Sequence, residues 1–289
     1  MLKVYGDESH SKHERAFGIA CLVGTDSQWI ALCDKWLKRT DGIIFHAADC
    51  EAGYGDYKDI QVEIRHRLHR DLTRLLAESQ VIGLGTAMDL EGCKKVFPNM
   101  MPEQNLYSCF IKVVAGIAEE AYKFIPREAL GFTFDQHKAT EHNKRELYSQ
   151  MVSLDDWGER APLDKALRFS SREEVGIQAA DLFVRELVKR LDSYLHSDRS
   201  VPRIQWETLH ATGRFGGSFL MHSYFESLKA KLADLEAKTG ITRKKYAEWI
   251  HSNGLVENHS NRIRFYAIAN NSIANDSVPK PGGDVQAAE

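Results

Sequence analysis

The hydrophobic pattern opens with a period of two. From Leu2 to Asp7 the chain sets Leu2, Val4 and Gly6 against Lys3, Tyr5 and Asp7, with Glu8 next. That alternation predicts a strand with one buried face, ending in two acids. Ser9 to Arg15 is polar and predicts a turn. Ala16 to Val23 is almost wholly apolar and closes at Gly24, as a central strand antiparallel to the first would. Behind Asp26 or Ser27 as a cap, Trp29, Leu32, Cys33 and Trp36 recur at helical spacing through about Lys38. A short strand is expected at Ile43 to His46, then a Gly/Tyr/Asp loop.

Val62 to Ala77 predicts an amphipathic helix whose stripe is Ile64, Leu68, Leu72, Leu75 and Leu76. Val81 to Met88 predicts a buried strand, Leu106 to Phe124 a helix ended by Pro126, and Leu130 to Asp135 a strand finishing in an acid. Glu141 to Met151 reads as helix, and a polar loop containing Pro162 leads to Phe169. Glu174 to Leu195 is strongly helical. Val201 to Gly217 is irregular apart from an extended piece at Ile204 to Trp206. A helix at His222 to Lys238 is followed by another at Thr242 to Ser252, and the polar stretch from Asn270 is expected to be disordered. Strands interleaved with helices predict one α/β layer domain over residues 1–196, a mostly helical extension over 197–269 and a tail over 270–289.

Composition narrows the classes. At 43% hydrophobic and 27% charged, the 289 residues can build a proper core, which argues against disorder. No run approaches the roughly 18 apolar residues of a membrane span, and the N-terminal residues lack a signal-peptide core. A formal net charge of −3 gives no argument for a nucleic-acid partner. The five cysteines are odd in number, widely spaced and without a CxxC pair, so neither a disulfide framework nor a usual structural zinc site is expected. Reduced thiols in a cytoplasmic protein are the simplest reading. Neither GxxxxGK[ST] nor GxSxG occurs, and the GxG of VIGLGTAM lacks its third glycine.

The chemistry is in the acids. Asp7 and Glu8 end one predicted strand, Asp135 ends another, and Asp181 lies in the apolar helix segment IQAADLFV. In that helix Glu174, Gln178, Asp181 and Arg185 line one narrow face. Asp181 among apolar neighbours must be paired, hydrogen-bonded or metal-bound. A plain ion pair with Arg185 one turn later satisfies that need, and an acid after a strand is often only a cap. Taken together, clustered carboxylates repel unless a divalent cation neutralises them, and oxygen-only ligands favour Mg²⁺ or Mn²⁺. His46 and Asp49, three apart, fit a general-base pair, a metal site or a structural hydrogen bond. His137 fits phosphate binding or proton transfer, or a solvated loop. The basic clusters Arg65 to Arg70 and Arg243 to Lys245, with Arg214, fit phosphate contacts or solvated faces equally.

Four segments carry a resemblance: GDES at Gly6 to Ser9, FHAAD at Phe45 to Asp49, FTFD at Phe132 to Asp135 and IQAADL at Ile177 to Leu182. In order and context they resemble the domain of unknown function 3800 family, over about residues 3 to 190, roughly two thirds of the chain. The resemblance implies an RNase H-like mixed sheet flanked by helices, and a metal-dependent nuclease or an inactive relative. It implies that Asp7 bridges the metal ions, that Asp135 and Asp181 are further ligands, that Glu8 is a neighbour on the opposite side of the strand, and that Gln178 orients a ligand or touches substrate. Asp89 is the candidate for a fourth carboxylate, with Glu91 as its rival, or else it caps the following helix.

The expectation is therefore a hydrolase cleaving phosphodiester bonds of DNA or RNA with Mg²⁺ or Mn²⁺ and catalytic residues Asp7, Glu8, Asp135 and Asp181. The alternative from another class is a non-catalytic RNase H-like module that binds nucleic acid or protein, as in host defence. No membrane partner is expected, and a homo-oligomer is left open.

Overall fold

The computed structural model describes residues 1–11, 15–99, 102–124, 128–152, 163–196 and 203–239. The strands are β1 (Leu2–His10), β2 (Ala16–Gly24), β3 (Ile82–Asp89), β4 (Leu130–Asp135), β5 (Arg168–Ser170) and β6 (Phe215–Leu220). The helices are α1 (Asp26–Thr40), α2 (Ala47–Ala52), α3 (Val62–Glu78), α4 (Leu90–Val96), α5 (Pro102–Phe124), α6 (Lys138–Val152), α7 (Val175–Leu195), α8 (Ile204–His210) and α9 (His222–Thr239). The expected second helix from Thr242, the basic cluster Arg243 to Lys245 and the tail from Asn270 lie outside the described residues, as do Pro126 and Pro162.

The strands form one mixed sheet in the order β5-β4-β1-β2-β3-β6. β1, β2 and β3 are antiparallel to one another in turn, while β4 and β5 run parallel to β1. With helices on its faces, this sheet is consistent with an RNase H-like α/β fold. Two compact units are present, Met1–His222 and a second beginning at Ser223. The first therefore closes well beyond residue 196. The reason is β6, which pairs parallel to β3 from Gly83↔Phe215 to Met88↔Leu220 and so belongs to the sheet.

β2 is buried along its whole length because it is a central strand covered on both faces. One face carries α1, α3 and α7, packed through Trp29, Trp36, Leu72, Leu76, Phe183 and Leu187. Glycines on the sheet and on α7 itself leave room for their packing. A Cβ at Gly85 would come within 2.4 Å of Leu187 Cδ2, and one at Gly176 within 2.4 Å of the Tyr5 ring. The GxG of VIGLGTAM thus serves backbone approach.

Several local expectations change. α1 is capped by Thr25, whose side chain accepts from Gln28 N while Gln28 reaches back to Thr25 N in a capping box. Residues 43–46 form no strand, and the Phe45 N–H donates to the Gln178 side chain at 3.1 Å. On α3, Ile64 faces outward, and His69 joins Leu68, Leu72 and Leu76 on the buried side. Residues 204–210 are helical, where an extended piece was expected. Two members of the basic clusters serve the backbone: Arg65 donates to the carbonyls of Cys50, Glu51 and Ile60, and Arg214 to that of Ala77. Among the described residues no helix is long and apolar enough to cross a membrane.

A buried charge network ties α2, α3, α7 and the start of α8. Glu186 on α7 accepts two hydrogen bonds from Arg203, at 2.7 and 2.8 Å, and lies 3.2 Å from His69 Nε2. Burial alone would raise its pKa, but the His69 and Arg203 contacts outweigh that and hold it at about 2. A carboxyl depressed in the fold contributes stability that is complete above the ordinary Glu range and is lost as pH falls toward 2. Glu186→Gln should lower stability at neutral pH by on the order of 3 kcal/mol. It should also flatten the fall in urea midpoint between about pH 5 and pH 2. An unchanged acid slope would show that Glu186 does not drive it.

Candidate metal centre and cleft

Strand pleating sorts the N-terminal acids. Side chains alternate across a strand, so Tyr5 and Asp7 point to the α7 face while Gly6 and Glu8 point to the α5 and α6 face. β4 pairs with β1 in parallel up to Gly6↔Phe134, which puts Asp7 and Asp135 one step further along adjacent strands, on the same face. α7, settled close over the sheet, brings Asp181 to that edge. Asp7, Asp135 and Asp181 are all buried and line one cavity of about 850 Å³ at the ends of β1 and β4.

The electrostatics follow from crowding like charges away from water. Burial pushes the Asp7 carboxyl well above the usual range, and the charges of Asp181 and Asp135 push it further. Burial raises Asp181 as well, against the opposing pull of His46 and the Ala47 N–H. Asp7 Oδ1 accepts from Glu8 N at 2.7 Å, and Asp181 Oδ2 from Ala47 N at 2.6 Å. Asp135 Oδ2 lies 3.5 Å from Arg172 Nε. Asp181 is not hydrogen-bonded to Arg185; that guanidinium instead reaches Glu51 and the His10 carbonyl. A raised carboxyl surrounded by two others, with oxygen donors only, is the donor set that suits a hard divalent cation.

Asp181 is aimed by the segment that contains FHAAD. Gln178, one turn earlier on α7, accepts from Trp36 Nε1 at 2.9 Å and from Phe45 N, and donates to the Arg172 carbonyl at 2.8 Å. Gln178 is thus a buried clamp that does not line the cavity, and it sets residues 45–47 against α7. The same segment puts His46 on the cavity wall with Nδ1 2.7 Å from Asp49 Oδ2. The dyad that the spacing allowed is therefore formed, and it stands beside the aspartates.

Glu8 works on the other face. Its carboxylate pairs with Lys144 Nζ at 3.1 Å and accepts from Thr140 Oγ1 at 3.0 Å, with His137 Nδ1 3.6 Å away. Both Glu8 and His137 line the cavity, but Glu8 is engaged with α6 rather than with the three aspartates. Lys144, fully buried, was missed in the sequence. Its signal is its place one turn before Leu147 and Tyr148 and two before Met151, all buried on the same stripe of α6. Asp89 is not drawn in: it caps α4, accepting from Gly92 N at 2.8 Å. Glu91 pairs with Lys95 on the surface.

Glu51, His69 and Glu186 form a second acidic group, not foreseen in the sequence. They offer three ligand atoms within 4.8 Å of one another, an arrangement compatible with metal binding. Among the described residues, the three aspartates do not bring three ligand atoms that close together. Yet Glu51 already meets Lys189, Arg185 and Arg203, and Glu186 meets Arg203. Three cations balance these two carboxylates, whereas among the described residues the cavity aspartates have only Arg172 at ion-pair distance. The acids with fewer close partners are at the cavity.

The cavity aspartates should cost stability until a cation joins them. A carboxyl raised in the fold binds its proton more tightly there than in the unfolded chain, so folding weakens as pH climbs past the ordinary Asp range. In a chelator at pH 8, Asp7→Asn should melt a few degrees above the parent protein. Mn²⁺ at a hundredfold excess over its Kd should stabilise the parent by about 2.7 kcal/mol, and the variant by much less. Equal Mn²⁺ shifts in a melting assay would remove Asp7 from the ligand set.

Compared with known proteins, the chain matches no family model and no curated protein. Its function is inferred from the chemistry of its own side chains.

Proposed function

We propose that this protein is a metal-dependent nuclease of the domain of unknown function 3800 family, hydrolysing phosphodiester bonds with Mg²⁺ or Mn²⁺. One observation carries the reading: buried aspartates from β1, β4 and α7 share a cavity, and burial together with the charges of Asp181 and Asp135 holds the Asp7 carboxyl well above its usual range. Asp7, between the other two in charge contact, would hold cations jointly with Asp135 and with Asp181. When bound, such cations lower the pKa of water and stabilise charge developing on a phosphoryl group.

The chain's own residues would do the rest. Arg172 and Arg185 line the cleft, and Lys94 stands across it, so a backbone phosphate meets positive charge on either side of the acids. The Ala47 N–H fixes one oxygen of Asp181, and the Glu8 N–H fixes one of Asp7, leaving each carboxylate one oxygen for a cation. His46, oriented by Asp49, is placed at the wall to hold or pass a proton next to the reacting phosphate.

Asp7→Asn should lower cleavage of single- and double-stranded DNA and RNA panels in Mn²⁺ at least about a hundredfold, with a near-parental circular dichroism spectrum. Cleavage that survives in EDTA, or in this variant, would count against the reading. Binding of nucleic acid with no turnover in any divalent cation would assign the site to a binding module.

A further inference from the structure

We propose that the half of the cleft on the Glu8 face seats one unpaired nucleobase, beside the phosphate addressed by the aspartates. This rests on the nuclease reading and adds the form of its substrate, a strand whose base is free of its stack.

The cleft crosses the end of β1, so its two halves come from opposite faces of the sheet. On the α7 face the lining is ionic: Asp7, Asp135, Asp181, Arg172 and Arg185. On the other face an apolar patch, Phe17, Leu90, Phe97, Pro98 and Leu106 from β2, α4, the loop after it and α5, lies among polar groups that include Glu8 and His137. Phe17, Phe97 and Leu106 are buried and form the floor of this half. Phe17 is the cross-strand partner of His10, and their rings lie 4.8 Å apart at 47°, giving the recess an aromatic corner.

A site that handled only a phosphate and its cations would gain nothing from such a floor. An apolar, aromatic-cornered recess opening directly onto a phosphate-and-metal site fits a planar body covalently joined to that phosphate. The rest of the wall suits the edges of such a body. Thr140 and Asn143 offer hydroxyl and amide groups, and Lys94 stands at the rim where the next phosphate would pass. The whole cavity, at about 850 Å³, is large enough to enclose a nucleotide-sized group. A base held in a duplex cannot enter without unstacking, whereas a base of a single strand is free to stack there.

The test scans one abasic position along a short single-stranded DNA of otherwise fixed sequence, with the full-length protein. Cleavage is read in Mn²⁺, and equilibrium binding by fluorescence anisotropy in Ca²⁺. The expected result is a loss of about tenfold in kcat/KM and in affinity when the abasic site falls at one position next to the cleaved bond, and little loss elsewhere. Annealing a complementary strand should produce a comparable loss. Leu90→Glu should bring the intact strand down to the level of the abasic one. Cleavage that is equal for intact and abasic strands at every position would overturn the recess and leave the nuclease reading standing. If no strand is cleaved, the nuclease reading falls and binding alone decides: an abasic penalty at one position supports the recess. Equal binding, or none, overturns it.

Discussion

Repulsion among Asp7, Asp135 and Asp181 is the constraint that their surroundings have to contain. Each is buried, and the ionised form of Asp7 is opposed first by burial and then by the other two charges. In isolation such a cluster would splay apart or take up protons. Here the elements that carry it are held by other means. β1 and β4 are locked by the parallel ladder, and α7 is seated on glycine gaps that let it approach the sheet. Gln178 fastens residues 45–47 to α7, so the Ala47 N–H stays on Asp181. The scaffold thus carries a locally unfavourable arrangement, which is how strained functional sites persist in folded proteins.

The contrast with Glu51 and Glu186 shows what the arrangement at the cavity is for. Both groups hold carboxylates away from water, but with opposite outcomes. Around Glu186 the cationic partners more than offset burial, and the acid is held ionised at about pKa 2. That is a solved electrostatic problem, and its product is cohesion between α2, α3, α7 and α8. Glu51 also anchors the C-terminal end of α2, whose N-terminal end touches Asp181. The ion network therefore steadies the helix whose N–H holds Asp181, even though its own geometry is compatible with metal binding.

Much of this was legible in the chain, for a definite reason. β1, β2 and β4 alternate or run apolar without interruption, and α7 has a continuous 3.6-residue stripe, so their faces and ends could be read directly. Asp7, Asp135 and Asp181 were visible because each interrupts such a pattern at its edge or in its middle. β6 was not, because FGGSFL has two glycines and a serine where a strand would show branched residues; its pairing with β3 is decided by tertiary contact. Residues 43–46 looked like a strand because three of the four are apolar, yet the Phe45 N–H goes to a side chain on α7, which no local pattern records. Lys144 escaped for the opposite reason: a lysine reads as solvated, and only its position on a buried stripe tells otherwise.

The adjacent pair Asp7–Glu8 carries the organisation furthest. Two neighbouring acids on a strand cannot share a face, so one residue step separates two chemistries. Asp7 joins Asp135 and Asp181 in a group of mutually repelling acids, while Glu8 is paired with Lys144 and accepts a hydrogen bond from Thr140 beneath the opposite half of the cleft. A net charge of −3 for the whole chain conceals this entirely. The potential that a ligand meets is set by which acids have partners, and along β1 that alternates from one residue to the next. A polyanion approaching the cleft would be held off by three acids until cations fill them. On this account the same charges that cost stability in the empty cleft make productive engagement of a phosphate depend on the metal.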